Sequence, residues 1–392
     1  MMAEIIFFLE NTFNKRDFHR FGIQTLINHG NNVFVYDFTP LLYSDYFAKH
    51  IPPDPININN YHLIYNKKEA SIFLRKVKHN SIVISMLSFN SSSYFIFKHL
   101  SINHIRFGFV VVGTIPSQAF SKPLIKKILN LAQNPKSIKK LIVKAKNSLI
   151  KLPKPYFCIT GGSMGEKVAK KIGYLKQNTI NIKAHAYDFD RFLEEEDLSN
   201  NEFEQFSDYA VMIDEYGPYH PDFILSEMTP YVNKESYYYQ LNNFFNLIEI
   251  SLGLKVIIAA HPRSNYEKVG NPYNQRKVIR GKTIQLIKYS KLVLIHASTA
   301  LNFVVLYQKP VLFISSFDYS TYYQNMILIF AKSLSSKVIE ISNPNQELPK
   351  DIFFIDKNVY KNYKEIYIKE EGTPNKLLWE IFSDFCKEHT LP

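Results

Sequence analysis

Short apolar runs alternate along this chain with segments in which apolar residues recur at helical spacing. The apolar runs predict strands within residues 4–9, 31–40, 81–87, 104–116, 156–165, 178–196, 209–223, 254–262, 292–298 and 310–315. Helical spacing predicts helices over residues 15–30, 166–175, 235–253, 281–290, 299–308 and 375–389, and an acidic helix follows the strand within 178–196. Strands that alternate with helices are typical of an α/β fold with parallel sheets.

Length and composition limit the kind of protein this is. With 392 residues, of which 46% are hydrophobic, the chain can form two domains with separate cores. No apolar run reaches the roughly 20 residues that cross a bilayer, and the first residues lack a secretory pattern. We therefore expect a cytoplasmic protein. Its two cysteines, Cys158 and Cys386, exclude a disulfide framework and a four-cysteine metal site.

The net charge of +12 is concentrated in one segment, residues 122–154, which contains ten lysines and no acidic residue. Anionic lipid head groups and nucleic acids both attract such a segment, and a solvated helical face explains it equally well. We expect no nucleic-acid partner, because nothing else in the chain supports one. A membrane surface remains the partner that we assign to this segment.

Polar clusters follow two buried runs in the C-terminal half, where the strands should end. Ligands bind at the carboxyl ends of strands in open parallel sheets. Each cluster has an ordinary explanation as a turn or a helix cap. Together with two basic residues between them, they are our candidates for donor binding: His261, Pro262, Arg263, Arg280, Lys282, His296, Ser298 and Thr299.

An acidic pair, Asp214 and Glu215, ends another predicted strand, and His220 follows in the same turn. A carboxylate at a strand end can accept a proton from a substrate hydroxyl. A polar turn capped by aspartate is the alternative. We favour a catalytic role, because a turn does not require so many acidic and imidazole groups.

A glycine-rich turn, Gly161–Gly162–Ser163, lies between a predicted strand and a helix, where a phosphate could approach the backbone. It fits neither the dinucleotide nor the P-loop pattern, and a tight turn explains it as well. His185, Tyr187 and Asp188 follow as candidates for the lining of a cleft. Asp188 and Asp190 are separated by one residue, as in a short metal-binding motif, but two acids at this spacing are common by chance. We therefore expect no metal there.

The order of these clusters resembles that of a known group of enzymes. An acid pair, then His-Pro, then a Ser/Thr pair is similar to the motifs of bacterial sialyltransferases and of related capsule and lipopolysaccharide glycosyltransferases. Residues 156–316 carry most of the likeness. Tyr216 is a departure, because the family has glycine directly after the acid pair. Ser/Thr pairs also occur in glycerophosphate and Kdo transferases.

The resemblance implies a GT-B fold, in which two Rossmann-like domains face a cleft and the C-terminal helix crosses back to the first domain. It divides the chain into an acceptor-side domain (1–150), a linker (151–155), a donor domain (156–345) and a helical segment that packs back (346–392). Asp214 or Glu215 would be the general base. His261 would contact and protonate the leaving donor phosphate, which Ser298 and Thr299 would bind.

The expected function is transfer of a sugar from a nucleotide donor to a surface glycan or lipid-linked acceptor, without a metal or another cofactor. The donor would be a CMP-linked nonulosonic acid (sialic, pseudaminic or legionaminic acid) or Kdo, with UDP as the second choice of nucleotide. Two alternatives stay open. One is a polyol-phosphate transferase or nucleotide-sugar epimerase of the same fold, and the other is a protein that binds glycans or nucleotides without catalysis.

Overall fold

The structure of this protein is a computed structural model. It describes residues 3–49, 54–56, 58–117, 147, 149–197, 208–220, 229–343 and 346–389. The chain divides into two compact units. The first unit contains most of the described residues up to Tyr187, together with those from Lys369 onward. The second unit is formed mainly by Asp188–Ile368.

The first unit is built on a parallel sheet of seven strands in the order β3-β2-β1-β4-β5-β6-β7. The strands are β1 (Glu4–Leu9), β2 (Asn32–Asp37), β3 (Tyr61–Leu63), β4 (Ile82–Ser85), β5 (Arg106–Val111), β6 (Phe157–Gly161) and β7 (Ile180–Ala184). Successive side chains of a strand point to opposite faces, so Ile5 and Phe7 join the core on one face. Ile6 and Phe8 join the core on the other. Both faces are therefore covered, as the continuous apolar runs predicted.

Helices connect the strands of this unit. They are α1 (Lys15–Arg20), α2 (Ile23–Asn28), α3 (Thr39–Leu42), α4 (Ser44–Lys49), α5 (Lys67–Lys76), α6 (Tyr94–Ile102) and α7 (Gly162–Lys171). The single helix expected over residues 15–30 is two helices, because Gly22 adopts a left-handed conformation between them. Side-chain caps begin α1 and α5, where Asn14 and Asn66 accept hydrogen bonds from backbone amides of the first turn.

The second unit contains a parallel sheet of six strands in the order β10-β9-β8-β11-β12-β13. The strands are β8 (Tyr209–Ile213), β9 (Lys255–Ala260), β10 (Val278–Arg280), β11 (Leu292–Ile295), β12 (Val311–Ser315) and β13 (Val338–Glu340). The helices are α8 (Tyr187–Glu196), α9 (Lys234–Leu252), α10 (Tyr266–Val269), α11 (Thr283–Tyr289), α12 (Leu301–Leu306), α13 (Thr321–Ser333) and α14 (Lys357–Tyr363). A 3₁₀ turn (Gly217–Tyr219) and a π-helical turn (Lys364–Ile368) complete it.

The boundary between the units differs from the expected linker at 151–155. The strands β6 and β7 pair in register with β5 and with each other, so they extend the first sheet. The domain expected over 156–345 therefore begins only at Asp188. The sequence placed the break at a proline-rich stretch, but hydrogen bonding between strands decides which sheet a segment joins. The segment 346–392 is divided too, since α14 stays with the second unit.

The last helix, α15 (Leu378–His389), belongs to the first unit, as the resemblance implied. Its residues Leu378, Trp379 and Phe382 are buried in the core on one face of the seven-stranded sheet. The Trp379 indole also donates to Arg20 O over 2.8 Å. Two Rossmann-like domains in series, with the final helix returned to the first, are the domain composition of the GT-B class, which confirms the predicted fold class.

The packing of α15 can be tested by a substitution at Gly22, which lies against Trp379. An added Cβ at Gly22 would lie 2.3 Å from Trp379 Cδ1, whereas at Gly30 nothing lies within 4 Å; both glycines have positive φ. Both Gly→Ala variants share the left-handed strain, but only Gly22→Ala also creates a clash. We expect Gly22→Ala to lower the free energy of unfolding by about 1–3 kcal/mol more than Gly30→Ala. Equal urea-denaturation midpoints would contradict this packing.

None of the helices in the described part of the chain has the length and apolarity that crossing a membrane requires. Most of the lysine-rich segment 122–154 lies outside the described residues. Its assignment to a membrane surface therefore stays a prediction.

Candidate functional site

A cavity of about 290 Å³ lies in the second unit, near the carboxyl ends of β8, β9 and β11. The chain runs from β8 to β9 and β10 on one side and then resumes with β11 on the other, so the strand order reverses between β8 and β11. Ligands of open α/β sheets bind at such a switch point. The lining residues are Glu215, Gly217, His220, Tyr231, Val232, His261, Ala297, Ser298, Thr299, Tyr323 and Met326.

Glu215 is the second residue after β8 and reaches across the switch point. Its Oε1 accepts a hydrogen bond from the Ala297 amide over 2.7 Å, and its Oε2 accepts one from the Tyr323 hydroxyl over 2.8 Å. Burial raises the pKa of Glu215 to about 7, against the effect of these two hydrogen bonds and with help from the neighbouring Asp214. The carboxyl group is therefore held by two donors at the cavity wall, and its raised pKa favours exchange of a proton near neutral pH.

Asp214 has a different environment, although it is the next residue in the chain. Its side chain is buried and accepts four hydrogen bonds at 2.7–3.2 Å, from the backbone amides of Tyr216 and His261 and the hydroxyls of Tyr266 and Tyr273. Burial raises its pKa, whereas these donors lower it. Four donors occupy the acceptor positions of the carboxylate. Asp214 therefore holds the turn after β8 and the start of the His-Pro turn together.

The turn after Glu215 is conformationally unusual. Tyr216, the residue that departs from the family pattern, lies in the left-handed region at φ 54° and ψ 37°. Such a conformation is uncommon for a residue with a Cβ and is found where the surrounding structure enforces it. The Tyr216 amide donates to Asp214 Oδ1 over 2.7 Å, so the buried carboxylate fixes this turn.

His261 follows β9 and lines the cavity. The Arg263 amide donates to its Nδ1 over 3.2 Å, which orients the ring. The ring of His220 lies 4.9 Å from that of His261, and an Arg263 guanidinium nitrogen lies 3.2 Å from His220 Nε2. The structure thus brings His220, in the turn after β8, into contact with His261 and Arg263, in the turn after β9. The sequence analysis had proposed the two turns separately. Pro262 and Arg263 themselves are exposed.

Ser298 and Thr299 line the same cavity, in the turn that follows β11. The Ala300 amide donates to Ser298 Oγ over 3.3 Å, and the Leu301 amide donates to Ser298 O. Ser298 therefore also serves in the turn that starts α12. The N-cap residue of α12 is Ala300, without a side-chain hydrogen bond, so neither Ser298 nor Thr299 is the helix cap.

Five of the eight residues expected to bind the donor in this unit are not among those that line the cavity: Pro262, Arg263, Arg280, Lys282 and His296. His296 is fully buried: its Nδ1 lies 2.8 Å from Ile314 O and its Nε2 lies 3.3 Å from the Tyr237 hydroxyl. Burial lowers its pKa to about 4, so it is a neutral core residue. Arg280 donates to Ser264 O and contacts Glu267 at 3.8 Å, and Lys282 precedes α11. The sequence could not show whether each side chain after a strand would face the cavity, the core or the solvent.

The glycine-rich turn belongs to the first unit rather than to the donor domain. A Cβ at Gly161 would lie 2.8 Å from the His185 backbone, and one at Gly165 would lie 2.5 Å from Val111 O. Gly165 lets α7 approach β5 closely, and Gly161 lets the end of β6 approach the residue that follows β7, so packing explains both glycines. Gly162 adopts φ +64° at the start of the helix, and Ser163 follows it in α7.

The residues proposed to line a cleft also have structural contacts. His185 is buried, with its Nε2 2.8 Å from Lys376 O. The Arg20 guanidinium lies over the ring of Tyr187 at 4.3 Å. In the second unit, Asp188 accepts a hydrogen bond from Asn302 over 2.7 Å. Among the described residues, no group of three or more His, Cys, Asp or Glu side chains could hold a metal ion.

Several cavity residues had no signal in the sequence. Tyr231, Val232, Tyr323 and Met326 form much of the apolar part of the lining. Tyr323 and Met326 lie in α13, which the sequence analysis did not predict. The cavity thus combines imidazole, carboxyl and hydroxyl groups with an aromatic and apolar wall, as binding sites for small molecules commonly do.

Comparison with protein families and with curated proteins finds no match. Several solved structures are similar. UDP-GlcNAc 2-epimerase from Methanocaldococcus jannaschii has a TM-score of 0.48 and 11% identity, covering 99% of this chain and 100% of its own. The S. aureus MnaA–UDP structure has a TM-score of 0.47 and 11% identity, covering 97% and 95%. The wall teichoic acid polymerase TagF has a TM-score of 0.49 and 9% identity, covering 99% and 89%. These values are too low to assign an activity or a substrate to this chain.

Proposed function

We propose that the cavity is the active site of a glycosyltransferase that uses a nucleotide-sugar donor, and that Glu215 is its general base. The observation that carries the proposal is the state of this carboxyl group. It lines the cavity, two donors orient it, and burial raises its pKa to about 7. A general base works best when its pKa lies near the operating pH. Glu215 would take the proton from an acceptor hydroxyl as that oxygen attacks the sugar.

In this proposal Asp214 positions the site and does not act as the base. Its four hydrogen bonds leave it buried and saturated, and it is absent from the residues that line the cavity. One of those bonds comes from the His261 amide. Asp214 therefore connects the turn that carries Glu215 to the turn that carries His261.

His261, with Ser298 and Thr299, would receive the phosphate of the donor. Of the described residues that line the cavity, His220 and His261 are the two whose side chains can carry positive charge. A leaving phosphate needs donors and positive charge more than it needs a covalent partner. The hydroxyls of Ser298 and Thr299 would supply hydrogen bonds beside them. The cavity volume of about 290 Å³ is just below the roughly 300–1,000 Å³ of ligand pockets. A cavity of this size suits part of a nucleotide-sugar.

The donor that we propose is a CMP-linked nonulosonic acid or Kdo, transferred to a surface glycan or lipid-linked acceptor. Support for this sugar comes from the sequence motifs alone. Calorimetric binding of CMP, CDP, UDP and GDP to the full chain tests it. We expect CMP to bind most tightly. If CMP binds least tightly, the nonulosonate donor is lost, whereas tight binding of CDP would favour the polyol-phosphate transferase.

A nucleotide-sugar epimerase is the second candidate, and the same observation favours it. A carboxyl group with a pKa of about 7 could also remove a proton from a sugar carbon, and return of a proton to the opposite face of that carbon would give the isomer. The two reactions differ in their need for an acceptor. An epimerase would convert a nucleotide-sugar into an isomer with no acceptor present, and NMR of the sugar would detect the product. A transferase would require the acceptor, transfer the sugar to it and release the free nucleotide, and it would form no isomer of the nucleotide-sugar.

A further inference from the structure

Tyr323, in α13, contacts the proposed base directly. Its hydroxyl donates to Glu215 Oε2 over 2.8 Å. Its ring is 4% exposed and lies against three others, with ring centroids 5.7 Å from Tyr231, 5.6 Å from Tyr319 and 5.7 Å from His296. Rings packed this closely leave little freedom for reorientation. The hydroxyl is therefore held at the carboxyl group by packing as well as by the hydrogen bond.

The two partners of Glu215 differ in what they can do when the carboxyl group changes its charge. The Ala297 amide, 2.7 Å from Oε1, is a donor in every state. A hydroxyl group donates and accepts, and its hydrogen can rotate. Tyr323 can therefore donate to the carboxylate and accept from the protonated carboxyl group without moving its ring.

We propose that Tyr323 is a positioning residue of the active site, whose hydroxyl holds Glu215 Oε2 in place and changes from donor to acceptor when Glu215 takes up a proton. The proposal rests on the function assigned above to Glu215. In the transfer step the O–H bond of the acceptor breaks and an O–H bond forms on the Glu215 carboxyl group. The acceptor oxygen bonds to the anomeric carbon as the bond from that carbon to the donor phosphate breaks, and the nucleotide leaves with the electron pair of the broken bond. Tyr323 keeps its own proton, because burial and the Glu215 carboxylate raise its pKa well above 10.

Other titratable groups face Glu215 as well. Asp214 precedes it and raises its pKa, and His220 and His261 line the same cavity. Loss of the Tyr323 hydroxyl leaves these groups in place and removes one hydrogen bond to the charged form of Glu215. Because that bond lowers the pKa of Glu215, its loss raises the pKa. The protonated carboxyl group loses its weaker hydrogen bond to the same hydroxyl, so the expected shift is the difference between a charged and a neutral hydrogen bond, about one pH unit.

The test compares Tyr323→Phe with Tyr319→Phe. Tyr319 is the matched control, because its ring packs against Tyr323 and its buried hydroxyl makes no hydrogen bond within the described residues. Titration of the isotope-labelled Glu215 carboxyl carbon is followed by NMR, and its signal is identified by its absence in Glu215→Gln. Thermal unfolding of both variants shows whether the fold is kept. The pH dependence of nucleotide-sugar turnover is measured on the same proteins.

We expect Tyr323→Phe to move the Glu215 titration, and the pH at which turnover begins, upward by about one unit. Tyr319→Phe should leave both at the wild-type pH. Equal titration in Tyr323→Phe and wild type would overturn the positioning role, and so would equal shifts in both variants. If NMR shows the raised Glu215 pKa in Tyr323→Phe but wild type turns over no nucleotide-sugar, the positioning of Glu215 by Tyr323 is supported and the proposed function fails.

Discussion

Replacement of Glu215 by glutamine is expected to lower kcat/KM for nucleotide-sugar turnover by about 10²–10⁴-fold, the usual contribution of a general base. Glutamine has nearly the same shape and can still accept the Ala297 hydrogen bond, but it cannot take up a proton. The measurement is steady-state release of the nucleotide. In wild type the rate should fall as the pH decreases below about 7, because the base is then protonated.

Glu267→Gln provides the control for this substitution. Glu267 is exposed, with 87% of its side chain accessible, and it is not among the residues that line the cavity. Its replacement should leave kcat/KM and the pH profile unchanged. Wild-type turnover in Glu215→Gln, or a wild-type pH profile in that variant, would remove Glu215 from the chemistry.

Asp214→Ala is expected to have the largest effect on stability, with a loss of about 3–5 kcal/mol in the free energy of unfolding. The substitution leaves two amides and the hydroxyls of Tyr266 and Tyr273 without an acceptor inside the protein. Burial of donors that lack an acceptor is costly. Urea unfolding followed by far-UV circular dichroism measures the loss.

Asp318→Ala is the matched substitution for that measurement. Asp318 is exposed, and its carboxylate accepts a hydrogen bond from Gln240 over 2.7 Å. Exposed contacts of this kind contribute little, so we expect a change of at most about 0.5 kcal/mol. If the two variants unfold at the same urea concentration, the Asp214 network does not stabilise the site as described.

The sequence predicted the class of fold because the central strands are continuous apolar runs buried on both faces. Strands such as β8 and β11 are buried along their whole length, and such runs are legible without a structure. The edge strands β3, β10 and β13 were not predicted. Each has three residues, which is too short for a hydrophobic pattern to show.

The sequence also predicted which turns meet at the cavity, but not the role of each residue in them. Glu215, His261, Ser298 and Thr299 do line one cavity, because parallel strands place their carboxyl ends at the same edge. His296 shows that closeness in the sequence to a cavity residue does not place a side chain in the cavity lining. It lies two residues before Ser298, yet its side chain points into the core.

The aromatic residues of the site were not predictable from local pattern. Tyr266, Tyr273 and Tyr323 reach the acid pair from three separate segments, and nothing in those segments distinguishes a tyrosine that binds a carboxylate from one that packs. The unit boundary was missed for a similar reason. Pairing of β6 with β5 is a contact between strands separated in sequence, and the prolines at 151–155 gave no information about it.

The most direct test of the central claim is a crystal structure of this protein with the nucleotide that binds best in the calorimetric panel. The account predicts that the phosphate lies beside His261, Ser298 and Thr299, and that the Glu215 carboxyl group faces the position of the sugar. Nucleotide bound only at another place in the chain, with this cavity filled by water, would contradict it.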